Sequence, residues 1–146
     1  TYLIALADMH PASDGANIGI QLGDSSGIDT GACDYGYYTQ NLKDYETTYS
    51  AAVAEGSARI LLPGDGVGNA AGEGVGAVIW LHRPGDGVTK PILSGHGIAV
   101  VGSGRITGGD FFAERTAVIT VDRVLAKFDT GNIVSGRMTV WGLAHA

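Results

Sequence analysis

Apolar residues alternate with polar or small residues along most of the chain, which is the period of a half-buried β-strand. The clearest runs place Ile18, Ile20 and Leu22 on one face of a strand, and Val75 and Ile79 on one face of another. Glycine supplies 24 of the 146 residues and stands where the alternations end, so it marks turns. The pattern predicts about eight strands, over residues 2–7, 17–23, 32–39, 58–62, 74–82, 91–101, 117–128 and 136–143.

Helical periodicity is almost absent, and this decides the fold class. Only residues 42–55 have the Lys, Glu and Ala content of a helix, and Thr47, Thr48 and Tyr49 at their centre disfavour one. We predict a loop with at most one helical turn there. Without alternating strands and helices a sheet cannot be mainly parallel. The sequence therefore predicts a single domain over residues 1–146, an all-β antiparallel two-sheet β-sandwich, with a jelly roll as the favoured topology and an immunoglobulin-type sandwich as the alternative.

Glycine-rich segments predict the turns of this sandwich. The sequence PGDGV at residues 63–67 recurs at residues 84–88, and in each copy Pro presets φ while Gly accepts φ > 0, as a strand-ending turn requires. Near the C-terminus Gly131 and Asn132 predict a tight turn, and Ser135 and Gly136 a second bend. We therefore expect the last strand to close inside the fold. Turn roles are also predicted for Gly68, Asn69, Gly72 and Gly74.

Charge and hydropathy exclude several classes of partner. The net charge is −6 and the nine Lys and Arg residues are scattered, so no basic stripe is present for nucleic acid. The longest apolar runs fall far short of the roughly 20 residues of a membrane-spanning helix, and no signal peptide is recognisable, so a soluble protein is expected. Charged residues are only 16% and mean hydropathy is +0.14. Either part of the surface is covered by other chains, or abundant Ala and Gly raise the hydropathy.

Motifs that resemble catalytic or ligand-binding sites are incomplete. Residues 66–72, GVGNAAG, are followed by a strand and not by the helix that a dinucleotide loop requires. Residues 23–27, GDSSG, match a nucleophile elbow but also lack the following helix, so a turn is predicted. The four histidines, 10, 82, 96 and 145, show no metal-ligand spacing, although His82 and His96 could meet across neighbouring strands. We predict no enzyme activity, no cofactor and no metal.

Aromatic residues are concentrated in one part of the chain. Five of the six tyrosines fall within residues 35–49, and alternation sends Tyr37 and Tyr38 to opposite faces of their strand. Three roles remain open for this cluster: the core of the sandwich, a protein interface, or stacking on sugar rings. Cys33 is placed in the same strand, where we expect a buried small apolar side chain. The candidate interface or glycan contacts are Tyr35, Tyr37, Tyr38, Tyr45, Tyr49 and Trp141.

Three segments together resemble a β-sandwich module of tailed-bacteriophage virion proteins of the decoration and tail-fibre type. They are ASDGANIGIQLGDSSGIDTGACDYGYY at residues 12–38, GVGNAAGEGVGAVIWLHRPGD at 66–86 and FDTGNIVSGRMTVWGLA at 128–144. The usual closing strand of that module has the form SSGNIxSGtxxLYGI. Here GNI and SG match, while Trp141 replaces the customary tyrosine before Gly142.

The resemblance implies a virion component that is assembled in the host cytoplasm, and it carries over no catalytic residue. The first hypothesis is a non-enzymatic capsid decoration or cement protein that assembles symmetrically, with a trimer expected, on the major capsid protein. The alternative is a receptor- or glycan-binding module of a tail fibre or tail tip, in contact with other tail proteins and a host glycan. The chain's length, without a coiled-coil shaft, favours decoration.

Overall fold

The computed structural model describes residues 1–144, and within that range the chain forms eleven strands and no helix. His145, one of the four histidines considered above, lies outside the described residues. The strands are β1 (Tyr2–Pro11), β2 (Ile18–Asp24), β3 (Gly27–Ile28), β4 (Tyr35–Lys43), β5 (Ser50–Ser57), β6 (Ile60–Leu61), β7 (Gly74–Leu81), β8 (Ile92–Val100), β9 (Ile106–Arg115), β10 (Arg123–Phe128) and β11 (Ile133–Gly142).

These strands make two antiparallel sheets. The larger has seven strands in the order β11-β1-β7-β8-β9-β4-β5, and the smaller contains β10, β2, β3 and β6, with β2 at its centre. Apolar side chains from both sheets form one buried core between them, which is the arrangement of a sandwich. The prediction of an all-β antiparallel two-sheet β-sandwich is confirmed. No helix that could cross a membrane is found among the described residues.

The alternation of apolar and polar residues in the sequence matches the alternation of buried and exposed side chains in the structure. Along β7, every second residue from Val75 to Leu81 is buried, and the residues between them are partly exposed. Strand β2 is buried on both faces, because its apolar side chains face the core while Gln21 on the opposite face donates a hydrogen bond to the Ala58 carbonyl (2.8 Å). In the larger sheet, the buried residues of each central strand face this core and the residues between them face solvent, so one face is covered and the other is open.

Two strands of the larger sheet were not predicted. The expectation of a loop over residues 42–55 holds only for residues 44–49, because β4 continues to Lys43 and β5 returns beside it from Ser50 to Ser57. Strand β9 lies between β8 and β4, and its inward residues alternate correctly, with Phe111 buried and Phe112 exposed. Adjacent glycines at 108 and 109 obscured that alternation in the sequence.

The C-terminal strand lies at the edge of the larger sheet, so the expectation that it closes inside the fold is wrong. Strand β10 pairs with β2 in the small sheet, whereas β11 pairs only with β1 in the large one. The turn at Gly131 therefore carries the chain from one sheet to the other. The predicted bend at Gly136 falls within β11, opposite an irregularity in β1 where Asp8 has φ 56°. Almost every side chain of β11 is exposed.

Several predicted turns have the expected backbone. In the repeated PGDGV sequence, Gly64 and Gly85 have φ 115° and 116°, and Gly66 and Gly87 have φ 72° and 76°. The glycines of the two copies thus have the same φ, since glycine adopts this region without steric cost, although only residues 65 and 66 form a hydrogen-bonded turn. Cys33 differs from its prediction: it is exposed, in the turn before β4 begins at Tyr35.

The substitution Gly131→Val is expected to lower the free energy of unfolding by at least about 1 kcal/mol. Gly131 has φ 71°, and an added Cβ would lie 2.5 Å from Ser13 Oγ, so the variant combines backbone strain with a steric clash. Denaturant unfolding measures the loss, with Thr130→Val as the neighbouring control. Equal midpoints for the two variants would contradict the turn geometry.

Candidate functional site

The most prominent surface feature is a row of side chains that crosses the open face of the large sheet from edge to edge. The strands are aligned so that one residue of each strand falls on the same line. We call this line the apolar row; it consists, from β11 to β5, of Trp141, Leu3, Trp80, Ser94, Phe112, Tyr38 and Val53. Every member except Ser94 is aliphatic or aromatic, and directly opposed pairs of this kind stabilise a sheet surface.

The row is solvent-accessible. Val53 is 68% exposed, Phe112 60% and Trp141 47%. Ile98 and Leu42 are also exposed on the same face, opposite Gly108, and are separated from the row by the pair His96 and Asp110. Soluble monomers rarely expose a contiguous apolar patch of this kind, and patches rimmed by polar groups mark interaction sites.

Near its β5 end the row includes a pair of stacked rings beside a shallow groove. The centroids of Tyr38 and Phe112 are 5.0 Å apart and their planes are inclined by 15°. Ser94, His82 and Glu114 line the same groove. His82 Nε2 and Ser94 Oγ are 2.8 Å apart, and Lys90 Nζ contacts Glu114 Oε1 at 3.2 Å. The groove thus combines an aromatic platform with hydrogen-bonding groups.

The backbone at Ser94, the partner of His82, is occupied by sheet pairing. A serine nucleophile needs free N–H donors aimed at the developing oxyanion. Ser94 lies in the middle of β8, where the backbone is paired with β7 on one side and β9 on the other. His96 does not join the pair, since it lies opposite Val78, further along β8. No group of three potential metal-ligating side chains occurs within residues 1–144.

The tyrosine cluster separates into different environments. Tyr35 is fully buried; its hydroxyl accepts from Leu22 N (2.7 Å) and donates toward the Leu22 carbonyl (2.9 Å), and burial raises its pKa to about 12. Tyr37 packs against the core, and Tyr45 and Tyr49 are exposed beyond the end of β4. Of the five tyrosines, only Tyr38 joins the apolar row, together with Trp141 from the other candidates.

The segment from Gly68 to Gly74 forms a hydrogen-bonded loop. Its Glu73 carboxylate accepts from Ala70 N at 2.7 Å, and the two ring nitrogens of His10 lie 2.9 and 3.1 Å from the carbonyl oxygens of Asn69 and Glu73. Gly72 and Gly74 have φ 87° and 144°, and a Cβ on Gly68 would overlap the Glu73 carboxylate. These residues hold the loop against β1.

Hydrogen bonds in two turns favour the ionised form of the carboxylates of Asp24 and Asp86. Hydrogen bonds from the hydroxyl and N–H of Ser26 lower the pKa of Asp24, and the N–H groups of Thr89 and Val88 lower that of Asp86. A general acid needs the opposite shift. The GDSSG sequence forms the turn between β2 and β3, in which Ser26 is hydrogen-bonded to the carboxylate of Asp24.

Sequence reasoning missed an arginine that fastens the turn before β4. Arg115, at the end of β9, is buried; its Nε lies 2.7 Å from Asp29 Oδ2 and its Nη2 3.1 Å from Asp34 Oδ1. Its guanidinium also lies over the Tyr35 ring, 5.8 Å from the centroid. Most of the apolar row was missed as well. Val53 and Phe112 lie on β5 and β9, which were not predicted. Leu3, Trp80 and Ser94 lie on predicted strands, but their alignment depends on register between strands. Trp80 and Phe112 lie in separate segments, so no local sequence pattern indicates that their side chains belong to the same row.

Comparison with known proteins returned no family profile, no curated protein and no solved structure that matches this chain.

Proposed function

We propose that this chain is a non-enzymatic structural protein of a bacteriophage virion, a capsid decoration or cement protein that assembles symmetrically on the particle surface. The observation that carries the assembly role is the apolar row, which presents exposed or partly exposed aromatic and aliphatic side chains on six of the seven strands of one sheet. The virion context rests on the three sequence segments that resemble phage modules.

The row has the properties of an interface core. Interface centres are enriched in aromatic residues and depleted of charge, and the row has two tryptophans, a tyrosine and a phenylalanine with no charged member. The residues are held on a paired sheet and not on loops, so little conformational entropy is lost on docking. The complementary surface we propose is an apolar patch on the major capsid protein.

Phe112→Ser is expected to weaken capture of the protein by shells that lack it by about tenfold or more, because an exposed ring at the centre of an interface contributes at least about 1–2 kcal/mol. Folding should change little, since the ring is mostly exposed. Cosedimentation with the shells gives the affinity. Val88→Ser is the matched control, because Val88 is 78% exposed outside the sheets, between β7 and β8.

Equal capture of Phe112→Ser, Val88→Ser and the unaltered protein would contradict the role of the row. Failure of the unaltered protein to bind any shell would contradict the decoration function itself.

A second function is favoured by the Tyr38–Phe112 platform: a receptor- or glycan-binding module of a tail fibre or tail tip. Flat aromatic pairs stack on sugar rings, and Ser94 and Glu114 in the same groove would bond to sugar hydroxyls. A glycan array separates the two functions. Binding that is lost in both Ser94→Ala and Glu114→Gln supports the glycan module, whereas an array without hits beside shell capture supports decoration.

A further inference from the structure

The large sheet is open at both edges within the described chain. Strand β11 lies at one edge and β5 at the other. An edge strand presents N–H and C=O groups that have no ladder partner, and proteins usually block such edges with Pro, Lys or a covering loop. Neither strand contains Pro or Lys. Ala32 and Cys33 lie against Gly56 near the end of β5, and the rest of both edges is available for pairing with another strand.

The two edges carry complementary charge. The only charged residue of β11 is Arg137 and the only one of β5 is Glu55. Both side chains are exposed, and neither belongs to an ion pair within residues 1–144. Two copies of the same edge would place like charges along one contact, whereas one edge of each kind allows opposite charges to pair.

We propose that copies of this chain associate head to tail, with β5 of one copy pairing along β11 of the next and Glu55 beside Arg137. This inference deepens the proposed function, on which it rests, by naming the self-contact through which the protein assembles. Because the antiparallel sheet has an odd number of strands, β5 and β11 run in the same direction. If successive copies are related by a rotation about an axis parallel to the strands, β5 of one copy and β11 of the next pair in parallel. The open faces of all copies then lie on the same side of the extended sheet.

Head-to-tail contacts of this kind close into a ring when the rotation between copies is a simple fraction of a turn. In this register Val53 of one copy lies beside Ser135 of the next, so the apolar rows of successive copies share a face but are offset along the strands. Because the contact between copies uses the strand edges, it leaves the apolar row of each copy uncovered.

Cysteine cross-linking tests the pairing directly. Within one copy, Glu55 and Arg137 lie on opposite edges of seven strands, and those edges are about 29 Å apart at a spacing of about 4.8 Å per strand. A disulfide needs Cα atoms within about 7 Å, so Glu55→Cys and Arg137→Cys can be joined only between copies. Cys33 is exposed, and Cys33→Ser is therefore the background for both variants.

The expected result is a disulfide-linked dimer when the two single variants are mixed, and no dimer from either alone. The variant that carries both cysteines should form a closed ring or a series of larger species. A dimer from Glu55→Cys alone or from Arg137→Cys alone would show that like edges meet, which overturns the proposal. So would the absence of any cross-link in the mixture.

Charge reversal provides an independent measurement. Glu55→Arg and Arg137→Glu should each weaken self-association by about tenfold, as repulsion replaces attraction, and the double variant should restore it. Sedimentation gives the association constants, and circular dichroism checks that each variant is folded. Arg83→Glu, in the loop after β7, is the control with the same change of charge. Single variants that associate as strongly as the control would overturn the proposal.

Shell capture separates this inference from the proposed function. If the chain is a monomer at every concentration yet still decorates shells, the head-to-tail contact is wrong and the decoration role stands. If it forms rings that no shell captures, the contact stands and the decoration role is wrong.

Discussion

Tyr35→Ala is expected to lower the free energy of unfolding by about 3–5 kcal/mol. Tyr35 is a fully buried aromatic residue of the larger sheet, and its hydroxyl is bonded to Leu22 in the smaller sheet. Truncation leaves a cavity in the core and removes a hydrogen-bonded link between the two sheets. Chemical denaturation followed by tryptophan fluorescence measures the loss.

Tyr35→Phe isolates the hydroxyl. It preserves the packing of the ring but leaves the buried Leu22 N–H without its partner, which costs about 1–3 kcal/mol. The Asp29 carbonyl also loses a hydroxyl 3.0 Å away. A Phe variant as stable as the unaltered protein would contradict the inter-sheet hydrogen bond, and the Ala variant would then report packing alone.

Arg115→Met is expected to lower the free energy of unfolding by about 2–3 kcal/mol, because it leaves Asp29 and Asp34 facing each other without a cation. The guanidinium also donates to the Asp34 carbonyl at 3.0 Å, so the substitution releases the turn that leads into β4. Both aspartates keep partial access to solvent, which places the cost below that of a fully buried pair. Thermal and denaturant unfolding measure the effect.

Two further variants distinguish this ion pair from an ordinary surface pair. Arg115→Lys keeps the charge but cannot bond to both aspartates with a planar fork, so an intermediate loss is expected. Lys90→Met removes the exposed pair with Glu114 and should cost about 0.5 kcal/mol or less. If Arg115→Met costs no more than Lys90→Met, Arg115 is not the fastening residue that its contacts indicate.

Tyr35 and Arg115 bear on the proposed function because they stabilise the two strands that carry Tyr38 and Phe112. Tyr35 and Tyr38 are on the same strand, and Arg115 ends the strand that carries Phe112. A destabilised Tyr35 or Arg115 variant should therefore lose shell capture only to the extent that it unfolds. Phe112→Ser should lose capture while it remains folded. Stability and capture measured together thus separate the core from the contact surface.

The sequence alone determined the fold class and much of the turn geometry. Both depend on short-range physics: strand periodicity appears within six or seven residues, as in β7, and glycine is required wherever φ is positive, as at Gly131 and in the PGDGV turns. The absence of helical periodicity excluded a parallel sheet. The GDSSG sequence was correctly interpreted as a turn, because no helix follows it.

Only the tertiary structure decided which residues share a surface. The apolar row is a consequence of register between strands that are far apart in sequence, such as Leu3 opposite both Trp141 and Trp80, and register depends on non-local pairing. The same holds for the position of β11 at an edge, for the burial of Tyr35 and for the exposure of Cys33. Local alternation sets which side chains share a face of one strand, but not whether a second layer covers that face or another strand completes that edge.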